Sequence, residues 1–367
     1  MKQKIQKIVA IGLSLGIVSF FLCFLCFPKH SFSEHENRYL ATFPKWSIDS
    51  FFDGTYMEKV SAYLTDHFPF RNILLSLKTK TERTLGKTEI NHVYFGSDNY
   101  LMEAYQEPKN TEKIVQKLNN FCNQNKATLM LIPTSISINS NRVPRFVETK
   151  KQQEELKKIY EDITCQTVNL DFFYEQNEKT PLYYRLDHHF NSYGAYYASK
   201  AYIMKMGNSM LALNDYNIHS VSNDFRGTLD SKVNDPSLPS DTIVIFDRPR
   251  NLSVNYVMSQ KITTSLYEPG YLSKKDKYSY FLDNNHPLIV VSNLTVAKKE
   301  ILIVKDSYAN SMVPFFTDYY SKVHIIDPRF YQASITDYLK EHPEIEETLM
   351  VYNMNTLDSD LGILTIR

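Results

Sequence analysis

Apolar positions fall along this chain in three successive patterns. The first is a continuous run: residues 8–27 carry no charge and are mostly Ile, Leu, Val, Phe and Cys. A helix of about 20 such residues spans the roughly 30 Å of bilayer hydrocarbon. Lys2, Lys4 and Lys7 precede the run, and short basic flanks stay cytoplasmic. The expectation is a cytoplasmic stub over 1–7, a single-pass membrane anchor over 8–27, and an extracytoplasmic body. A cleaved signal peptide is the competing reading. Its apolar core would be shorter, about 7–15 residues, and would end in a small-x-small site, of which Ser31-Phe32-Ser33 is a poor version.

The second pattern, over 28–109, is an irregular, aromatic-studded lead-in expected to pack on the main domain. Pro28 closes the apolar run and Pro44 breaks the chain again. Residues 56–85 read as helix, interrupted at Phe68-Pro69-Phe70 and ended by Gly86. Val93-Tyr94-Phe95, Gly96-Ser97-Asp98-Asn99 and Tyr100-Leu101-Met102 read as a β-hairpin.

From residue 110 to 367 helix and strand patterns alternate. Helices are predicted at 111–124, 150–164, 192–206, 309–320 and 334–341. Short apolar strands are predicted at 127–132, 168–173 (strand or extended), 242–246, 287–291, 301–304, 323–326 and 348–352. Such interleaving predicts an α/β domain with a mainly parallel sheet covered on both faces. Residues near 208–285 are less regular and read as an insertion.

Composition narrows the function classes. The 41 basic and 41 acidic residues balance, without the basic excess expected of a nucleic-acid binder. The chain carries 26 Tyr and 22 Phe but one Trp. Tyrosines can stack on sugar rings, but filling strands and half-buried faces is their commoner use. Cys23 and Cys26 lie in the apolar run, leaving Cys122 and Cys165 as the only pair in the body. Outside the cytoplasm that pair could form a disulfide, and two cysteines do not make a metal framework. No metal or cofactor is expected.

In open α/β sheets ligands bind beyond the carboxyl ends of the strands, so residues there carry the candidate chemistry. The run from Ile301 to Val304 leads into Lys305-Asp306-Ser307-Tyr308-Ala309-Asn310. That arrangement exposes a serine hydroxyl beside backbone amides able to hold an oxyanion; alternatively Ser307 is a helix N-cap. Arg185-Leu186-Asp187-His188-His189-Phe190-Asn191 precedes a helix. A serine needs a base to take its proton, histidine suits that task, and a carboxylate orients the imidazole. The alternative is a solvated loop with capping polar residues. Arg329, in Asp327-Pro328-Arg329, could neutralise a substrate charge, and Asn353 could donate to an oxyanion, although ion pairing and turn formation are the commoner roles.

At these residues the chain resembles the bacterial DHHW protein family. The resemblance is carried by Asp187-His188-His189 with an aromatic residue and Gly194-Ala195-Tyr196, by Lys305-Asp306-Ser307-Tyr308-Ala309, and by Asp327-Pro328-Arg329-Phe330. Glu36-Asn37-Arg38-Tyr39-Leu40, Asp66-His67-Phe68-Pro69-Phe70-Arg71 and Val93-Tyr94-Phe95-Gly96 fit it as well, so it covers nearly all of the chain after the apolar run. The family is similar to SGNH hydrolase-fold proteins of the alginate O-acetyltransferase type. The resemblance implies an SGNH-like three-layer sandwich with Ser307 as nucleophile, His189 as base and Asp187 as orienting carboxylate. The backbone N–H of Ser307 would serve the oxyanion, with Asn310, Asn353, Arg329 and Tyr308 as oxyanion or substrate candidates. It further implies O-acylation, or ester hydrolysis, of a cell-surface polysaccharide alongside a membrane O-acyltransferase partner. Three departures stand out: Phe190 replaces the family tryptophan, Lys305 stands where GDSL-type enzymes carry Gly, and no second oxyanion donor matches their Gly and Asn blocks. Two other classes are a glycan-binding or assembly protein on a degenerate hydrolase fold, and a DHH-type metal phosphoesterase. The latter needs Asp-x-Asp and Gly-His elements that have no counterpart here.

Overall fold

The computed structural model describes residues 2–357 and 361–366. Two compact units emerge. One comprises Met1–Lys87 with Val233–Pro236, the other Thr88–Lys232 with Ser237–Arg367.

In the first unit, helix α1 (Lys2–Cys26) is, among the described residues, the one helix long and apolar enough to cross a membrane. Three more helices follow: α2 (Ile48–Phe52), α3 (Thr55–Asp66) and α4 (Arg71–Thr84). The break predicted at Phe68-Pro69-Phe70 separates α3 from α4, with Phe70 in the left-handed region at φ 58°. Proline cannot continue a helix, which fixes the break there.

The second unit opens with the predicted hairpin, β1 (Val93–Phe95) against β2 (Leu101–Glu103), so the boundary between compact units lies ahead of it. The α/β body then builds α5 (Thr111–Gln124), β3 (Ala127–Ile132), α6 (Lys151–Asp162), β4 (Gln166–Thr167), α7 (Phe172–Lys179) and α8 (Ser192–Lys205). It continues through β5 (Asn217–Phe225), β6 (Asp241–Asp247), β7 (Leu252–Tyr256), β8 (Lys261–Thr263), β9 (Leu288–Asn293) and β10 (Glu300–Lys305). It ends with β11 (Lys322–Ile326), α9 (Ile335–Glu341) and β12 (Ile345–Asn353).

Eight strands form one sheet in the order β8-β7-β9-β11-β10-β12-β3-β4. From β11 to β4 all neighbours are parallel, while β9, β7 and β8 extend one side antiparallel. The strands are apolar on both faces because both faces are covered. On β10, Ile301 and Ile303 join one core with α8, whereas Leu302 and Val304 join the other with α5, α6 and α9. On β12, Leu349 and Val351 face the first core and Met350 and Tyr352 the second. This strict period of two, with apolar residues in both phases, makes the three-layer sandwich.

Three expectations change. The 168–173 stretch is extended only at its start, where Val168 N–H still donates to Leu129 O at 2.9 Å; Asp171 N–H then donates to Asn169 Oδ1 at 2.7 Å, and this local turn lifts the chain off the sheet edge into α7. The 309–320 helix is broken into a 3-10 turn over Ser307–Ser311 and one α turn over Val313–Phe316. Pro314 has no N–H to carry the first into the second. The 208–285 segment is more regular than its composition predicts. It supplies β5 and β6, a separate antiparallel pair, and β7 and β8 of the main sheet. The predicted strand at 242–246 therefore exists, as β6, but outside the main sheet.

Cys122, in the last turn of α5, is disulfide-bonded to Cys165 just before β4.

Candidate active site

The site lies at the carboxyl ends of the parallel strands. β10 delivers Lys305, Asp306 and Ser307 in succession. Asp306, not Ser307, takes the capping role, since its Oδ1 accepts from Tyr308 N–H at 2.9 Å. Its Oδ2 accepts from Asn353 N–H at 2.7 Å and from the Thr356 hydroxyl at 2.6 Å. The Asp306 carboxylate thus fastens the turn after β10 to the end of β12, and the Ser307 hydroxyl is left half-exposed and uncommitted to the cap.

Asp187 and His189 come from a tight loop closed by a bridge between Tyr183 and Phe190. Asp241 holds the loop from β6, accepting from Arg185 N–H at 2.9 Å and Leu186 N–H at 2.8 Å. Burial raises the Asp241 pKa to about 6, against these two hydrogen bonds. Within the loop, His189 Nδ1 lies 2.6 Å from Asp187 Oδ1, and His189 Nε2 lies 2.8 Å from Ser307 Oγ. A carboxylate only accepts, so Nδ1 carries the proton and Nε2 faces the serine hydroxyl as an acceptor. Asp187 is 1% exposed and His189 4%.

Burial of Asp187 opposes its ionisation, but His189, His188 and the bond from Thr228 N–H outweigh it and hold its pKa below the ordinary carboxylate value. Burial, then His188, push the His189 pKa down to about 4, against the pull of Asp187. The imidazole is therefore neutral at pH 7 and able to accept a proton.

Four further residues complete the surroundings. Thr228 donates to Asp187 Oδ2 from its N–H at 2.8 Å and its hydroxyl at 3.1 Å, and its hydroxyl also lies 2.6 Å from His188 Nδ1. A Cβ on Gly227 would sit 2.2 Å from Asp187 Oδ2, so only glycine lets the backbone approach the carboxylate this closely. The Tyr278 ring stacks on His189 at 3.6 Å and 8°, and its hydroxyl lies 3.1 Å from Ser307 O and 3.2 Å from Tyr308 O. Burial raises the Tyr278 pKa, so the hydroxyl keeps its proton and donates. Asn285 Oδ1 accepts from Lys305 Nζ at 3.0 Å and Asn310 Nδ2 at 3.2 Å. All four come from the segment that reads as an irregular insertion. The available signal was Gly227 itself, one of only ten glycines in 367 residues.

The remaining candidates each have partners in the fold, and Arg329 also bears on His189, whose positive charge it disfavours. Asn310 is buried, with Nδ2 on Asn285 and Oδ1 without a partner. Asn353 donates from Nδ2 to Ile132 O at 3.1 Å and accepts from Asn355 N–H at 2.9 Å, tying β12 to β3. Arg329 pairs with Asp327 through Nε at 2.8 Å and Nη2 at 2.6 Å. Lys305, fully buried, also contacts Asp327 Oδ2 at 3.4 Å, and burial lowers its pKa against the attraction of Asp327. Tyr308 is 1% exposed, donates to His188 O, and packs edge-on against Phe190 at 5.3 Å. Phe190, in the family tryptophan position, is a fully buried core residue.

Asp187, His188 and His189 also form a group whose ligand-type atoms lie within 4.8 Å of one another. The same side chains hydrogen-bond as follows: His189 to Asp187 and to Ser307, and His188 to Thr228.

The chain matches the family described as DHHW protein over residues 79–326. It belongs to the DHHW protein family. Among solved structures it is similar to a DHHW family protein from Eubacterium siraeum, with TM-score 0.66 and 19% identity over 76% of this chain and 96% of that one. It is also similar to Bacillus cereus PatB1 bearing a sulfonyl adduct, with TM-score 0.63 and 19% identity over 75% of this chain and 98% of that one. The O-acetyltransferase domain of Pseudomonas putida AlgJ matches at TM-score 0.43 and 12% identity, over 72% of this chain and 92% of the domain, a level that decides nothing. No curated protein matches the chain. The DHHW family body is thus an SGNH-like α/β fold, and identities this low speak for fold alone.

Proposed function

We propose that this DHHW family protein is an extracytoplasmic, membrane-anchored serine acyltransferase or esterase acting on a cell-surface glycopolymer, with O-acetylation as its reaction. The observation that carries the reading is the continuous chain from Asp187 Oδ1 to His189 Nδ1 at 2.6 Å and from His189 Nε2 to Ser307 Oγ at 2.8 Å. Nucleophile, base and orienting carboxylate then stand within hydrogen-bond reach, as acyl transfer requires.

In this mechanism Ser307 Oγ attacks the acyl carbonyl as its proton passes to His189 Nε2. The oxyanion is met by the backbone N–H of Ser307. The carbon–oxygen bond to the donor then breaks, its oxygen takes the proton from His189, and an acyl-Ser307 ester remains. A sugar hydroxyl, or water in an esterase, repeats the sequence in reverse: it gives His189 a proton, attacks the ester, and releases Ser307. Asp187 stays ionised, fixing the His189 tautomer and stabilising the imidazolium. A membrane O-acyltransferase would supply the acyl group from across the bilayer.

The test is turnover of an activated acetyl ester, with covalent labelling by a fluorophosphonate or sulfonyl fluoride read by mass spectrometry. Wild type should turn over ester and label at Ser307. Ser307→Ala should lose about 10⁴-fold or more in kcat/KM. Equal turnover by both, or an unreactive Ser307 in a folded protein that binds glycan, would sink the enzymatic reading.

A further inference from the structure

The first unit leaves large apolar side chains in the open directly after α1. Phe43, Trp46, Ile48, Phe51, Phe52 and Met57 are each at least half exposed, Phe52 at 84% and Trp46 at 63%. Scattered exposed apolar residues are ordinary, but six within fifteen positions of chain, with the Phe51 and Phe52 rings edge-on at 5.7 Å, exceed scatter.

Contacts within this unit tie that cluster to the end of α1. Phe27, just past the helix, packs against Phe70 at the start of α4, with ring centroids 5.4 Å apart. Lys29 turns back, its Nζ 2.6 Å from Phe24 O and 3.6 Å from the Phe24 ring. The chain then crosses to the α3–α4 corner and is clamped there. Arg38 Nη1 donates to Asp66 Oδ2 at 2.9 Å, Ala41 N–H donates to the same oxygen at 2.8 Å, and His67 Nε2 lies 2.9 Å from Ala41 O. Beyond the clamp, Phe43 packs edge-on against Tyr63 of α3 at 5.3 Å, and residues 41–45 with Ser47 wall a groove with Tyr56 and Lys59, leaving the Trp46 side chain outside it. The stretch that leads into the aromatic cluster is therefore held to the α3–α4 corner by an ion pair, hydrogen bonds and the Phe43–Tyr63 contact, and Phe27 joins that corner to the end of α1.

We infer that this surface, centred on Trp46, Phe51 and Phe52, lies on the outer face of the bilayer with its aromatic rings in the headgroup–acyl boundary. The inference rests on the proposed membrane-spanning role of α1. If α1 spans, its last residues lie at that boundary, and the Phe27–Phe70 contact brings the corner of α3 and α4 to the same level. Trp and Phe favour that zone because it accommodates an apolar ring beside polar groups. Lys45 and Lys59 provide cations that suit lipid phosphates and can extend to reach them. The unit would then hold its chain against the membrane surface, not hang it from a flexible stalk.

Trp46 is the only tryptophan of the chain, so its own fluorescence reports on the surface. The full chain is reconstituted into phosphatidylcholine–phosphatidylglycerol vesicles, with bromine placed either high on the acyl chains or near the bilayer centre. The expected result is blue-shifted emission, shielded from aqueous acrylamide and quenched more by the high bromines than by the deep ones. Emission at the water-exposed wavelength, open to acrylamide and indifferent to bromolipid, overturns the inference. So does emission shielded from both quenchers, which means protein covers the surface, either the α/β unit or a second copy. Flotation of the same vesicles separates the two levels of failure. A chain that floats with Trp46 in water loses only the surface, whereas a chain that does not float removes the anchor and the surface together.

Discussion

At the scale of single residues, His189 has the most to answer for. It is 4% exposed, stacked under Tyr278 and beside His188, and both its burial and His188 disfavour a positive charge. Its pKa falls to about 4, from the ordinary 6.5, despite the carboxylate at 2.6 Å. The sign follows directly. A base must be unprotonated to act, so ester turnover should hold through pH 6 and 5 and fall as pH drops through about 4. Stability moves in the same direction. Both His189 and Asp187 have lowered values in the fold, so their contribution is full above the unfolded-state values and lost as acid protonates the folded forms. Rate and melting temperature measured across pH 3–8 test this; an acid limb centred near 6.5 in the rate profile would mean that burial does not govern the imidazole. Ser307, Asp187 and His189 were legible from residue type and family pattern. Tyr278 was not, because an aromatic that stacks on a histidine 89 positions away in sequence leaves no local spacing to read.

At the scale of elements, legibility followed hydrophobic period. β10 and β12 read correctly because they are apolar in both phases, a pattern a half-exposed strand cannot carry. α5 read to the residue because Ile114, Leu118 and Phe121 repeat at helical spacing on one buried face. β7 was missed although Leu252, Val254 and Tyr256 alternate, since it is short and sits in polar surroundings. The largest miss is functional: the 208–285 segment, unremarkable in pattern, delivers Gly227, Thr228, Tyr278 and Asn285 to the site. Gly227 gives that claim a sharp test. Its missing Cβ would meet three atoms of Asp187 at 2.2–2.5 Å, so Gly227→Ala must displace either the carboxylate or the Thr228 backbone that holds it. Small misplacements of an orienting group cost catalysis heavily, about 10²-fold for 1 Å. Gly227→Ala should therefore lower kcat by about 10–10²-fold while the protein stays folded by circular dichroism. Unchanged kcat in a folded variant would show that Asp187 does not need the Thr228 contact. Gly194, in the first turn of α8, is a weaker test, since Leu182 O and Phe190 crowd it and the fold itself would suffer.

At the scale of the whole molecule, two independent physical arguments support the proposed placement of the α/β unit outside the cytoplasm. The first is the order of charges: Lys2, Lys4 and Lys7 precede α1, and if α1 enters the membrane as proposed, a short basic flank stays cytoplasmic and the following chain faces outward. The second is the Cys122–Cys165 bond, which joins the end of α5 to the two-residue edge strand β4. Such bonds persist where the compartment is oxidising. Closing a loop of this kind contributes about 2–4 kcal/mol, so reduction should lower the melting temperature of the body without changing the order of its strands. The two arguments use different residues and different chemistry, and they must agree for the proposed function to have access to a cell-surface polymer. Their joint consequence can be read on intact cells in a Cys23→Ser/Cys26→Ser background, where Cys122 and Cys165 are the only cysteines. A membrane-impermeant maleimide should leave the chain unlabelled, then label it after an impermeant reductant. Labelling without the reductant would mean free thiols outside the cell, and the disulfide argument would fall. Labelling only after lysis would place the body in the cytoplasm and remove the extracytoplasmic acyl-transfer reading with it, since the polymer and Ser307 would then lie on opposite sides of the bilayer.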